Sequence, residues 1–273
     1  MSTLLAYQSF GENAARTILL LHGGGVAGWM WNGVVALLPD FHCLVPDLPE
    51  HGKSMAVRPF TMDLAARQAI ELVREKAHGG KAIVVGLSEG AQVLVQMMAT
   101  QPEVIEGAFV SSALLLPMPG HRLMRSERLL RFMFRISVPP FRANEWWMRL
   151  NMRQAAAIPD EYFEAYRENF QIINEDQFVN LLLENQGYRL PEGLGCVRVP
   201  TLAVAGIREY RVMKESARRL ASALPNARTV LVDLGKGASM TKEHNWAMNA
   251  PDLFVQVLRS FIRGDTLPDV VSP

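Results

Sequence analysis

The sequence is poor in cysteine, in net charge and in long apolar runs, and each shortage closes off a class of protein. Only two cysteines occur, Cys43 and Cys196, far apart and without metal-ligand spacing, so neither a disulfide framework nor a metal site is expected. The formal net charge is +1 and no polybasic block stands out, which leaves no electrostatic footprint for nucleic acid. No apolar run approaches the roughly 20 residues of a membrane span. Met1 to Phe10 lack a basic stretch followed by an apolar one, so no signal peptide is expected. These absences lead us to expect a cytoplasmic chain with no membrane partner. What is present is material for a large core: 273 residues, 49% hydrophobic and 20% charged, enough for one α/β domain carrying an insertion.

Short apolar runs alternate with helical patterns. Thr17 to Leu21 ends on His22 and three glycines, Cys43 to Pro46 ends on Asp47, and Lys81 to Val85 ends on Gly86. Between the last two, Leu64, Ala65, Ala69, Leu72, Val73 and Ala77 follow the helical period, with Thr61 placed as an N-cap. Val104 to Val110, Thr201 to Ala205 and Thr229 to Val232 continue the series. A last helix opens on Pro251 and buries Phe254, Val257, Leu258 and Phe261. This alternation predicts an α/β fold, a mostly parallel central sheet with helices on both faces.

The alternation breaks between about Leu116 and Pro191, where the chain is helix-rich and has no strand-like run. We expect a core made of 1–115 and 192–273 and a helical insertion, 116–191, over the carboxyl ends of the strands. Within it, His121 to Ile136 reads as one amphipathic helix. Arg125, Arg128, Arg131 and Arg135 gather on one side; Leu123, Leu129, Leu130, Met133, Phe134 and Ile136 lie on the other. Such a helix either packs its apolar face onto a pocket with the arginines in solvent or swings open at a lipid surface.

Gly86-Leu87-Ser88-Glu89-Gly90 follows a strand-like run and opens a helical one. In that setting the flanking glycines permit a tight turn that projects the Ser88 oxygen, a candidate nucleophile, above the sheet. His22-Gly23-Gly24-Gly25 also ends a strand, and glycines there let backbone N–H groups turn toward a reacting carbon. The amides of Gly24 and Glu89 are the candidate oxyanion donors. Of six histidines, only His244 falls between the last strand and the last helix, in a loop that brings an imidazole over the sheet edge. Glu209, just after the strand Thr201 to Ala205, is the candidate orienting acid, with Asp233 and Glu243 as rivals.

These segments, together with Pro46-Asp47-Leu48-Pro49-Glu50-His51-Gly52-Lys53-Ser54 and Pro251-Asp252-Leu253-Phe254, resemble the α/β-hydrolase superfamily in its order and over nearly the whole chain outside the insertion. The insertion resembles the family's helical cap. Three departures stand out. Glu50 replaces a glycine of the usual P-G-H-G turn. The acid position carries Glu209 where aspartate is commoner. Ala238 to Glu243 separate Gly235-Lys236-Gly237 from His244. The resemblance implies a Ser88–His244–Glu209 serine hydrolase that needs no metal or organic cofactor and cleaves a small to medium hydrophobic carboxylic ester. Trp31, Phe132, Phe134 and Trp147 are candidate pocket residues, although the cap aromatics would serve equally as cap core. Carbon–carbon bond hydrolysis or perhydrolysis on the same triad, and a slow-turnover ligand receptor, are the alternatives.

Overall fold

The apolar runs become strands because they are covered on both faces. Thr17–Leu21, Ala82–Leu87 and Thr201–Gly206 are buried at every position. Their side chains alternate between two cores, Leu19 and Leu21 on one face, Ile18 and Leu20 on the other. The computed structural model describes residues 4–269 and 271–272. Among them are eight strands: β1 (Tyr7–Phe10), β2 (Thr17–Leu21), β3 (His42–Pro46), β4 (Ala82–Leu87), β5 (Ile105–Ser111), β6 (Thr201–Gly206), β7 (Ala227–Val232) and β8 (Val271–Ser272). They form one sheet in the order β1-β3-β2-β4-β5-β6-β7-β8. The two edge strands run antiparallel to their neighbours and the six between them are parallel. The carboxyl ends of those six strands therefore lie along one edge, where loops converge.

Helix α1 (Asn32–Ala36) covers one face, while α2 (Met62–Lys76) and α3 (Glu89–Thr100) cover the other. Thr61 caps α2 by accepting from Leu64 N at 3.1 Å. Between β5 and β6 come α4 (His121–Met124), α5 (Glu127–Ser137), α6 (Glu145–Ala155), α7 (Phe163–Ile172) and α8 (Glu175–Gly187). After β6, α9 (Arg211–Ala223) joins α2 and α3. After β7, α10 (Met240–His244) leads to α11 (Trp246–Asn249) and α12 (Pro251–Arg263), which join α1. Phe254 of α12 anchors that layer, with Trp31, Phe109 and Trp246 rings at 5.5, 5.2 and 4.6 Å. No helix among the described residues is long and apolar enough to cross a membrane.

The single amphipathic helix expected from His121 to Ile136 is two helices. Ser126 adopts an extended backbone (φ −82°, ψ 105°) and its hydroxyl accepts from Leu129 N. A side-chain cap thus starts a new helix where the apolar period alone would have run on. Burial also differs from the pattern. Leu130 and Phe134 are buried, whereas Leu123 and Ile136 are 65% and 54% exposed. Arg131 and Arg135 do not stand free in solvent: both bind Glu175 at the start of α8, at 3.1 and 2.9 Å. Helix α5 is docked sideways on α8.

Candidate active site

Ser88 sits between β4 and α3 in a left-handed backbone conformation (φ 56°, ψ −112°), which costs free energy for a residue with a side chain. Two glycines make the turn possible. A Cβ on Gly86 would lie 2.4 Å from Gly90 O, and one on Gly90 would lie 2.2 Å from Leu21 O. Ser88 N donates to Ser111 O at 2.8 Å, which ties the turn to the end of β5.

His244 is the last residue of α10, and the segment before it accounts for its position. Ser239 caps this short helix by accepting from Lys242 N at 3.2 Å, so the extra residues after Gly237 fold into a turn that delivers the imidazole to the sheet edge. His244 Nδ1 donates to Glu209 Oε1 at 2.6 Å. That bond leaves Nε2 as the free nitrogen of the neutral ring. Glu209 lies in the turn after β6 and is buried. Its Oε2 accepts from Gly206 N at 2.6 Å and from Ser112 Oγ at 3.0 Å. The two rival acids point elsewhere. Glu243 accepts from Arg208 N at 2.6 Å and pairs with the Arg208 guanidinium, and Asp233 pairs with the same guanidinium. Trp246 donates to Ser111 Oγ at 2.9 Å within the core.

The glycine loop is fixed from below by His22. This wholly buried ring donates from Nδ1 to Gly23 O at 2.8 Å and accepts at Nε2 from Leu48 N at 2.9 Å. Burial lowers its pKa to about 4, so it serves as a neutral strut. Glu50, the departure from the usual turn, has φ 59°. Its carboxylate accepts from Phe60 N and from Asn180 Nδ2 of α8. Strain at that position is offset by a tie between the core and the helices above it.

Two cavities meet at Ser88. The larger, about 430 Å³, is lined by Gly24, Val26, Glu89 and the apolar side chains Phe170, Phe178 and Leu181. The smaller, about 270 Å³, is lined by Met118, Glu209, Tyr210, Met213 and His244. Ser88 and Asn185 line both. Ser88 and His244 therefore face one space, although among the described residues no hydrogen bond joins Ser88 Oγ to the ring.

None of the four aromatic residues expected in the pocket lines either cavity. Trp31 is fully buried beneath the sheet against Phe254, because it follows the loop down into the α12 layer. Phe132 is 59% exposed on the outer side of α5. Phe134 packs behind Phe178, with ring centroids 5.6 Å apart, and Trp147 stacks on Phe141 at 4.4 Å. The aromatic wall of the larger cavity comes instead from α7 and α8. The i, i+4 spacing of Tyr166 and Phe170 and the pair Phe178 and Leu181 were the available signal. Ser112 and Asn185 carried none, since each acts through a contact nearly a hundred positions away.

The model of the alpha/beta hydrolase family matches residues 18–257. The chain belongs to that family. An AB hydrolase superfamily protein of Gibberella zeae is 36% identical over 111 residues, which cover 40% of this chain and 39% of that relative. This alpha/beta hydrolase also aligns along 95% of its length, at 26% identity, with 98% of a pimeloyl-[acyl-carrier protein] methyl ester esterase of Serratia marcescens. A crystal structure of a hydrolase from Pseudomonas aeruginosa superposes with a TM-score of 0.72 at 20% identity, over 94% of both chains; at that identity the likeness is one of fold.

Proposed function

We propose that this chain is a cofactor-free serine esterase, with Ser88 as nucleophile, His244 as base and Glu209 as orienting acid. The observation that carries the reading is the 2.6 Å contact between His244 Nδ1 and Glu209 Oε1 beside a cavity shared with Ser88. Ser88 Oγ attacks the ester carbonyl while His244 Nε2 takes its proton, and Glu209 stabilises the imidazolium. The amides of Gly24 and Glu89 receive the oxyanion. As the tetrahedral intermediate collapses, the imidazolium protonates the departing alcohol. Water then attacks the acyl-enzyme by the same route in reverse. Residues 116–191 act as the cap that walls the pocket.

The two cavities divide the substrate. The leaving alcohol must take its proton from His244, so it occupies the smaller cavity; the acyl group extends past Gly24 and Glu89 into the larger one. Among the described residues neither lining includes lysine or arginine, which suits an uncharged, mainly apolar ester. The Serratia relative is named for a methyl ester, whereas a methyl leaving group would leave the smaller cavity of this chain nearly empty. Labelling with a fluorophosphonate probe, followed by turnover of esters graded first in acyl and then in alcohol length, tests the reading. Failure of Ser88 to label, or rates indifferent to both lengths, would refute it.

A further inference from the structure

Directly behind the reacting position lies a carboxyl group with no partner. Glu89 follows Ser88, is fully buried, and neither of its oxygens has a hydrogen-bond partner among the described residues. The group within reach is the His51 ring, whose Nε2 lies 3.7 Å from Glu89 Oε1. His51 Nδ1 donates to Pro49 O at 2.8 Å, so in the neutral ring Nε2 carries a lone pair aimed at the carboxyl. Glu89 also lies beside the glycine loop: a Cβ on Gly24 would lie 3.1 Å from Oε2. One side chain therefore backs the Gly24 turn and belongs to the residue whose own amide is the second oxyanion donor.

We propose that Glu89 is a positioning residue that must be a neutral carboxylic acid for turnover. This rests on the assignment of Ser88 as nucleophile with the Gly24 and Glu89 amides as oxyanion donors. Protonated, Glu89 directs its O–H at His51 Nε2 and supports the glycine turn without charge. Ionised, it sets a negative charge in dry surroundings against the oxyanion forming a few atoms away. The influences on Glu89 itself both favour the neutral form. Burial, first, and the carboxylate of Glu184 on α8, second, push the Glu89 pKa well above its ordinary value. His51 offers no compensating cation, because burial and the nearby His22 ring lower its pKa to about 3. His22 is itself neutral and stands edge-on to His51 at 4.9 Å. Asp47 works toward a charged His51 ring but is outweighed by burial and His22, and its oxygens accept from Gly28 N and Lys53 N. Glu50 spends its oxygens on Phe60 N and Asn180.

Two measurements on the full-length protein test this. The first is the infrared difference between wild type and Glu89→Gln at neutral pH. A protonated-carboxyl C=O band in the wild type that the variant lacks is expected; an ionised carboxylate band in its place would overturn the proposal. Should the variant fail to fold, glutamate-labelled wild type gives the same reading from persistence of that band at neutral pH. The second is the pH profile of kcat, read within each protein as the ratio of alkaline to neutral turnover. The wild type should lose about tenfold per pH unit on its alkaline limb, and Glu89→Gln, which has no proton to lose there, should lack that limb. Identical profiles would overturn the proposal. The infrared band is read on resting protein, so it judges Glu89 even if Ser88→Ala were to retain turnover and remove the nucleophile assignment.

Discussion

Glu209→Gln is an informative perturbation because the surrounding donors dictate which way the new amide must face. Glu209 Oε2 accepts from both Gly206 N and Ser112 Oγ, whereas among the described residues Oε1 accepts from His244 Nδ1 alone. The residue is 4% exposed, so Gly206 and Ser112 have no water to turn to. The glutamine oxygen stays with those two donors and its NH2 is presented to His244. An NH2 group cannot accept from Nδ1–H. The imidazole must then carry its proton on Nε2, the nitrogen that has to take the proton from Ser88. Wrong tautomer and missing negative charge together should lower kcat by about a thousand- to ten-thousand-fold, roughly 4–5.5 kcal/mol of barrier, with KM little changed. Stability should fall by only about 1 kcal/mol, since both core hydrogen bonds survive. Steady-state hydrolysis of a p-nitrophenyl ester and a thermal melt measure the two effects. Asp233→Asn is the control: its carboxylate is 47% exposed and bound to Arg208, and the variant should keep wild-type kcat. Glu209→Gln retaining more than about a tenth of wild-type kcat, or Asp233→Asn matching its loss, would refute the reasoning.

Ser88→Ala should lower turnover on the order of a millionfold while leaving the thermal melt intact; residual activity of even a few per cent would remove Ser88 as nucleophile. Gly90→Ala drives a methyl group to 2.2 Å from Leu21 O, so it should destabilise the fold by at least 1–3 kcal/mol in a denaturant melt and lower kcat by moving the glycine loop. His22 predicts an acid limb of stability. Its folded pKa of about 4 lies below the unfolded value near 6.5, so the unfolded chain binds the proton first. The neutral ring's contribution is whole above pH 6.5 and declines toward pH 4, by on the order of 3 kcal/mol; His22→Phe should flatten that part of the stability profile. Finally, Arg131 and Arg135 bound to Glu175 argue for a fixed cap. Activity should saturate on soluble esters without a jump when substrate forms an emulsion, and a sharp jump would favour a swinging lid.

The parts of this fold that could be read from sequence are those set by local periodicity and by position at strand ends. Strands β2, β4 and β6 announce themselves as near-continuous apolar runs, since a strand buried on both faces has no polar side to show; β5 and β7 are interrupted by Glu106 and Arg228. The edge strands β1 and β8 do not announce themselves, because Tyr7–Phe10 is short and half-exposed and gains its order only by pairing with β3. Ser88, Glu209 and His244 stand out as candidates because each follows or closes a strand–loop unit. The pocket walls were not. Large apolar residues of a cap look alike in sequence whether they face the cavity, as Phe178 does, sit behind it like Phe134, or reach solvent like Phe132. The unpaired state of Glu89 was equally hidden, since it depends on Gly24, His51 and Glu184 arriving from three separate elements.

The convergence of loops at one sheet edge has a kinetic corollary. Glu209 meets His244 across 35 positions and Ser112 across 97, and β4, β5, β6 and β7 must all be in register before those atoms approach. Each closure costs chain entropy that only the assembled sheet returns. Partly folded forms would therefore carry native helices while remaining inert. On dilution from denaturant, recovered ester turnover would trail recovered helix content and so would mark the last stage of assembly.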